Sequence, residues 1–133
     1  MTKRNIKAKQ LPPSPLEQAV LDLLWANGPC TADAVREGLM PRHELKDATV
    51  RTLLRRLEQK GYAVHEEKGR TYLWRARERR RSLAARLLRE VADRFCHGSV
   101  EELVTAMVED EAIDPRELRE LARRLERERD GRA

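Results

Sequence analysis

Thr49, Arg51, Thr52 and Arg55 lie close together in the run Thr49-Val50-Arg51-Thr52-Leu53-Leu54-Arg55. Arginine forks and threonine hydroxyls bond both base edges and phosphates, and arginine is the commonest reader of guanine. Lys46, just before this run, and Lys68 and Arg70, just after it, are cations of the kind that meet backbone phosphates. Other chemistry is weakly supported. Glu66-Glu67 and Glu101-Glu102 sit in solvated runs and read as exposed pairs rather than as paired catalytic acids. There is no HExxH, no glycine-rich phosphate loop and no nucleophile–base pair at a recognisable spacing. Cys30 and Cys96 are far apart, His43, His65 and His97 share no ligand spacing, and the adjacent Cys96-His97 would point apart on a helix. The expectation is a protein that is not an enzyme, with no metal, no cofactor and no small-molecule ligand.

These residues need elements to hold them. Ser14-Pro15-Leu16-Glu17 has the cap, first-turn proline and third-position glutamate of a helix start, and Asn27-Gly28-Pro29 stops that helix. Leu16, Val20, Leu23 and Leu24 form its stripe. Thr31 caps a short second helix through about Met40, with Ala34, Val35 and Leu39 on its apolar side. A third helix runs from a cap at Asp47 to a stop at Gly61, and Val50, Leu53, Leu54 and Leu57 follow the i, i+3, i+4, i+7 rule. Its remaining faces carry Thr49, Arg51, Thr52 and Arg55. Tyr62–Glu66, a Lys68-Gly69 turn and Arg70–Arg75 read as a hairpin, with Tyr72 and Trp74 on one face as cover for the core. Three helices and a hairpin, in that order, make a winged helix-turn-helix, with Lys68 and Arg70 at the tip of the wing.

Helical patterning resumes from Glu78 to about His97, with Ala84, Leu87, Leu88, Val91 and Phe95 on one side. Arg75–Arg81 opens it, and its arginines are further phosphate candidates. Gly98-Ser99 breaks and recaps the chain. Val100, Leu103, Val104, Met107 and Val108 form the next stripe. Asp114-Pro115-x-Glu117 starts a last helix, striped by Leu118, Leu121, Ala122 and Leu125. Helices this short are marginal alone, so these faces need a partner surface. That surface is either a second copy of the chain, in a two-fold dimer, or the chain's own N-terminal part.

Charge follows the same division. Residues 1–81 hold 18 Lys+Arg against 10 Asp+Glu, whereas residues 82–133 hold 10 against 13. A basic first part attracts polyanions, because neutralising phosphates releases counterions. With 133 residues, 40% apolar and 38% charged, the chain can bury one small core and keeps a large polar surface. No apolar run approaches a membrane span, and MTKRNIKAKQ has no apolar segment behind it as a secretory signal would. The expectation is a cytoplasmic protein with reduced thiols.

Three ordered motifs resemble the penicillinase-repressor family of bacterial winged-helix regulators over about residues 11–128. They are Thr49-Val50-Arg51-Thr52-Leu53-Leu54-x-Arg56-Leu57-x-x-Lys60-Gly61, then Gly69-Arg70-x-Tyr72, then Phe95-x-x-Gly98-Ser99 followed by Leu103-Val104 and the final acidic helix. The resemblance implies a dimeric repressor on a palindromic operator, in an antibiotic-response setting. It places the third helix in the major groove, the wing beside it, and the helices after Gly98 at the dimer interface. Many members are inactivated by proteolysis downstream of a membrane sensor-protease. The usual scissile Asn-Phe pair aligns here with Ala106-Met107, a departure that fits a different cleavage preference or a different induction route. The family often has lysine where Ala48 stands, and the cysteine-rich end of its copper-responsive members is missing here.

The sequence therefore predicts a mainly α fold with a small β-hairpin. Residues 1–10 are a flexible basic arm, 11–81 a winged helix-turn-helix DNA-binding domain, and 82–130 a helical dimerisation region. The predicted interface with double-stranded DNA is Lys46, Thr49, Arg51, Thr52, Arg55, Lys68 and Arg70. The predicted dimer contacts are Val100, Leu103, Val104, Met107, Val108, Leu118, Leu121 and Leu125. The alternatives are a winged-helix module that binds proteins and a DNA-binding protein without sequence preference.

Overall fold

A computed structural model describes residues 12–132. The predicted basic arm, residues 1–10, lies outside them. Among the described residues, six helices and one antiparallel hairpin follow in order: α1 (Pro15–Asn27), α2 (Ala32–Leu39), α3 (Asp47–Gln59), β1 (Ala63–Lys68), β2 (Thr71–Ala76), α4 (Arg80–Phe95), α5 (Val100–Glu109) and α6 (Pro115–Arg132). The chain divides into two compact units, Met1–Glu90 and Val91–Ala133.

In the first unit, α1 begins as its sequence predicts. The Ser14 hydroxyl accepts from the Glu17 N–H while the Glu17 carboxylate accepts from the Ser14 N–H. Thr31 caps α2 through the Ala34 N–H. Helix α3 starts differently. Lys46 occupies the cap position without a side-chain cap bond, and Asp47 is the first helical residue. The Asp47 carboxylate is turned along the helix to Arg51 instead. At the other end, the Gly61 N–H bonds the Glu58 carbonyl and the Tyr62 N–H bonds the Leu57 carbonyl. This Schellman closure needs the left-handed residue that Gly61 supplies, at φ +85°.

The core is built from Val20, Leu21 and Leu24 of α1, Ala32, Val35 and Leu39 of α2, and Val50, Leu53, Leu54 and Leu57 of α3, closed by Tyr62, Ala63, Trp74 and Leu83. The α3 stripe is buried as the period predicts. In α1 Leu21 joins it, while Leu16 and Leu23 only flank it. In α2 the buried alanine is Ala32 and Ala34 is exposed, because the helix enters the core with its first turn.

The hairpin pairs Ala63 with Ala76 through to Lys68 with Thr71, which leaves Gly69 and Arg70 as a two-residue turn. Gly69 has φ +65°, at the first central position, which type II′ turns reserve for glycine. Both strands end further along the chain than the alternation predicts, β1 at Lys68 and β2 at Ala76, and Arg75, read both as the strand's end and as the opening of the next helix, lies in β2. Trp74 covers the core at 5% exposure, but its face-mate Tyr72 is 45% exposed near the tip, where the core has ended. A third strand position, invisible in the sequence, is added by Cys30. Its N–H and carbonyl bond the Trp74 carbonyl and N–H at 2.9 and 2.8 Å.

Helix α4 buries Leu83, Ala92 and Cys96, the last just past its end, rather than the predicted side. Ala84, Leu88 and Phe95 are exposed, Phe95 at 76%. Leu87, on the same predicted side, packs against the core and Val91 is half-buried, so the predicted stripe is split between covered and open positions. Gly98 and Ser99 break and recap the chain as predicted, the Ser99 hydroxyl accepting from the Glu102 N–H. Asp114 does the same for α6 through the Arg116 N–H. No residue of α5 or α6 is buried. Leu103, Val104, Met107, Val108 and Leu118 are half-buried, whereas Val100, Leu121 and Leu125 are exposed, the last two at 40% and 51%.

Candidate nucleic-acid interface

Burying Val50, Leu53, Leu54 and Leu57 forces the rest of α3 outward. Thr49, Arg51, Thr52 and Arg55 are all exposed, as is Lys46 at the helix start. The Thr52 hydroxyl donates to the Ala48 carbonyl at 2.9 Å, which fixes its rotamer and leaves its lone pairs outward. Arg51 Nε donates to Asp47 Oδ2 at 2.9 Å. The hydrogen bond from Arg51 holds the Asp47 carboxyl below its ordinary range, and the same bond raises the Arg51 guanidinium.

Lys68 and Arg70 are exposed on either side of the hairpin turn. The hairpin is tied to α3 by His65, whose Nδ1 lies 2.5 Å from Glu58 Oε2. The His65 ring stacks on Tyr72 at 4.2 Å and tilts against Trp74 at 4.8 Å. An open cleft of about 370 Å³ lies between the start of α2, α3 and the hairpin, lined among others by Thr31, Asp33, Arg51, Arg70 and Tyr72.

Two of the seven predicted DNA contacts, Arg51 of α3 and Arg70 of the wing, are therefore brought to one cleft. Thr49, Thr52 and Arg55 share the exposed surface of α3 outside it, Lys46 marks the helix start, and Lys68 sits on the far side of the turn. Sequence reasoning missed Thr31 and Asp33 at this cleft and the Glu58–His65 tie. A capping threonine is read from sequence as a local device, and no spacing rule relates a helix end to a strand seven residues on. Among the described residues no group of three or more histidines, cysteines or acids is placed to hold a metal. Burial pushes the Cys30 thiol up, away from a reactive thiolate. Exposed hydroxyls and guanidinium groups on a helix sized for a major groove, beside a basic hairpin, suit a polyanionic duplex.

The family model of the penicillinase repressor matches residues 13–127. The chain belongs to the penicillinase repressor family. It is a transcriptional regulator of that family, and DNA binding is its activity. No curated protein matches the chain. Among solved structures, it is similar to a disulfide-formed AbfR, with 18% identity over 80% of each chain and a TM-score of 0.46. It is also similar to a MarR family protein from Bacillus stearothermophilus, with 19% identity over 93% of this chain and 87% of that one, and a TM-score of 0.47. In this penicillinase repressor family member, no described helix is long and apolar enough to cross a membrane.

Proposed function

We propose that the chain is a homodimeric repressor that reads a palindromic operator with α3 and grips the adjacent backbone with the wing. The observation that carries this reading is the convergence of Arg51 and Arg70, from helix and hairpin, on one open cleft beside the exposed face of α3. In this reading Thr49, Arg51, Thr52 and Arg55 enter the major groove, while Lys46, Lys68 and Arg70 meet phosphates. The open apolar faces of α5 and α6, with Val100, Leu103, Val104, Met107, Val108, Leu118, Leu121 and Leu125, are covered by the same faces of a second copy. Two copies place their α3 helices about one helical turn of DNA apart, or a small multiple of it.

Relief of repression by proteolysis at Ala106-Met107, downstream of a membrane sensor-protease, completes the proposal. The bond lies inside α5, and a helical bond must unwind before a protease can take it. With no buried residue along α5, that local opening costs little.

Enrichment of random duplex DNA on the purified protein, at near-physiological salt, tests the reading. A palindromic consensus with fixed half-site spacing is the expected result. Retention without enrichment would point to phosphate binding alone, and no retention to a protein-binding winged helix.

A further inference from the structure

Asp47 is read from sequence as a helix cap, and it is not one. It is the first residue of α3, and its carboxylate instead takes the Nε–H of Arg51, one turn on, at 2.9 Å. Both side chains are half-exposed, at 52% for Arg51 and 51% for Asp47. An exposed pair of this kind contributes little to stability, so its consequence is mainly geometric. A free arginine samples many rotamers. This one has its Nε–H engaged, and neither Nη group bonds another described residue. The remaining end of the guanidinium is the two-pronged fork that matches the O6 and N7 acceptors of guanine.

The surroundings reinforce the arrangement. Arg36 of α2 acts through space on the Asp47 carboxylate, and Asp33 of α2 acts on the Arg51 guanidinium. Two cations, Arg36 and Arg51, and two carboxylates, Asp47 and Asp33, thus act on one another at the α2–α3 junction. Removing Asp47 would leave Arg51 free to turn toward other partners, including phosphates. A carboxylate at the start of α3 also repels phosphates, so it penalises docking poses in which Arg51 sits on the backbone rather than on a base.

We propose that Asp47 is a specificity-determining positioning residue, which holds Arg51 by Nε so that its two Nη groups are presented as a fork to one guanine in each half-site. The proposal rests on the DNA-reading role of α3 given above.

The test uses the full chain, the duplex enriched by the wild-type protein, and a set of duplexes with each half-site base pair replaced in turn. The wild type is expected to show one G·C pair whose replacement costs about tenfold in Kd and whose penalty Arg51→Ala abolishes. Asp47→Asn should cut that penalty by about threefold or more, at that pair only, and raise affinity for unrelated DNA. In the Arg51→Ala background, Asp47→Asn should change no base preference, which isolates coupling through Arg51. Thermal melting checks that each variant is folded. Should Asp47→Asn not fold, Asp47→Glu keeps the charge but displaces the anchor, and is expected to lower the same penalty.

An unchanged G·C penalty in the folded variant would overturn the proposal. So would an equal change in both backgrounds, which would mean that Asp47 touches the DNA itself. So would a uniform loss of affinity on all duplexes, which would make Arg51 a phosphate contact. If the wild type prefers no sequence at all, the DNA-reading role fails, and this proposal fails with it.

Discussion

Arg51 and Lys68 carry the same charge, yet their loss should read out differently. Arg51 lies on the recognition helix with its fork open, whereas Lys68 closes β1 at the wing tip. Arg51→Ala is expected to relax base preference at one position in each half-site, by about tenfold. Lys68→Ala is expected to weaken all duplexes alike and to reduce the slope of log K against log salt by about one. Titrations of cognate and scrambled duplexes at several salt concentrations separate the two, and a uniform loss for Arg51→Ala would misplace the reading face. At this scale the sequence was informative because the 3.6-residue period that buries Val50, Leu53, Leu54 and Leu57 also states which residues face out. It could not say what Asp47 does. Aspartate before a helix fits both a cap and an i, i+4 partner, and only the helix start, one residue earlier than the motif suggests, decides between them.

Elements are held together by a buried carboxylate that the sequence half reveals. Glu17 closes the capping box of α1, as its spacing from Ser14 predicts, but it also accepts from Lys60 Nζ at 2.8 and 3.0 Å. That bond joins the start of α1 to the end of α3, 43 residues away, a separation no local pattern encodes. Burial pushes the Glu17 carboxyl up. The Lys60 hydrogen bonds and charge, with the Ser14 N–H and hydroxyl, outweigh it and hold the carboxyl below its ordinary value of 4.5. The folded value is thus the depressed one, so the stabilisation is fully present above 4.5 and is lost as pH falls through the folded value. Glu17→Gln should cost about 2 kcal/mol at neutral pH, with the urea midpoint lowered and the m-value unchanged. The gap from wild type should narrow as pH drops below about 4, and a gap that stays constant would remove the ion pair as its cause. Gly61 makes a simpler case. A Cβ there would meet only Arg77 Nη1 at 3.6 Å, an ordinary contact, so Gly61→Ala pays for backbone strain alone. About 1 kcal/mol by urea denaturation is expected. The Cys30–Trp74 bridge, by contrast, left no trace in composition or period, because a single paired residue has no alternation to show.

On the scale of the whole molecule, the two compact units differ in how far they satisfy their own apolar surface. Met1–Glu90 contains the contiguous core, whereas α5 and α6 bury no residue at all. Leu121 and Leu125, on one stripe of α6, are the most open of the predicted interface leucines. Burying such side chains stabilises by roughly 1.5–3 kcal/mol each, so leaving several in water is a standing drive to associate. The acidic balance of residues 82–133 opposes DNA binding there and leaves protein as the surface they suit. The wild type is therefore expected to sediment at twice its 15.5 kDa chain mass. The double variant Leu121→Glu, Leu125→Glu should sediment as the single chain while keeping its helical circular dichroism and its first-unit core. Operator affinity should then fall by roughly 10²-fold or more, because each half-site must bind its own α3 without the effective concentration that a linked pair supplies. Half-site affinity should be unchanged, which distinguishes lost pairing from damaged recognition. A wild type that sediments as a single chain at micromolar concentration, or a double variant that stays paired, would move the interface off α6. In that event Phe95, the most exposed large apolar side chain of α4 at 76%, is the next to substitute.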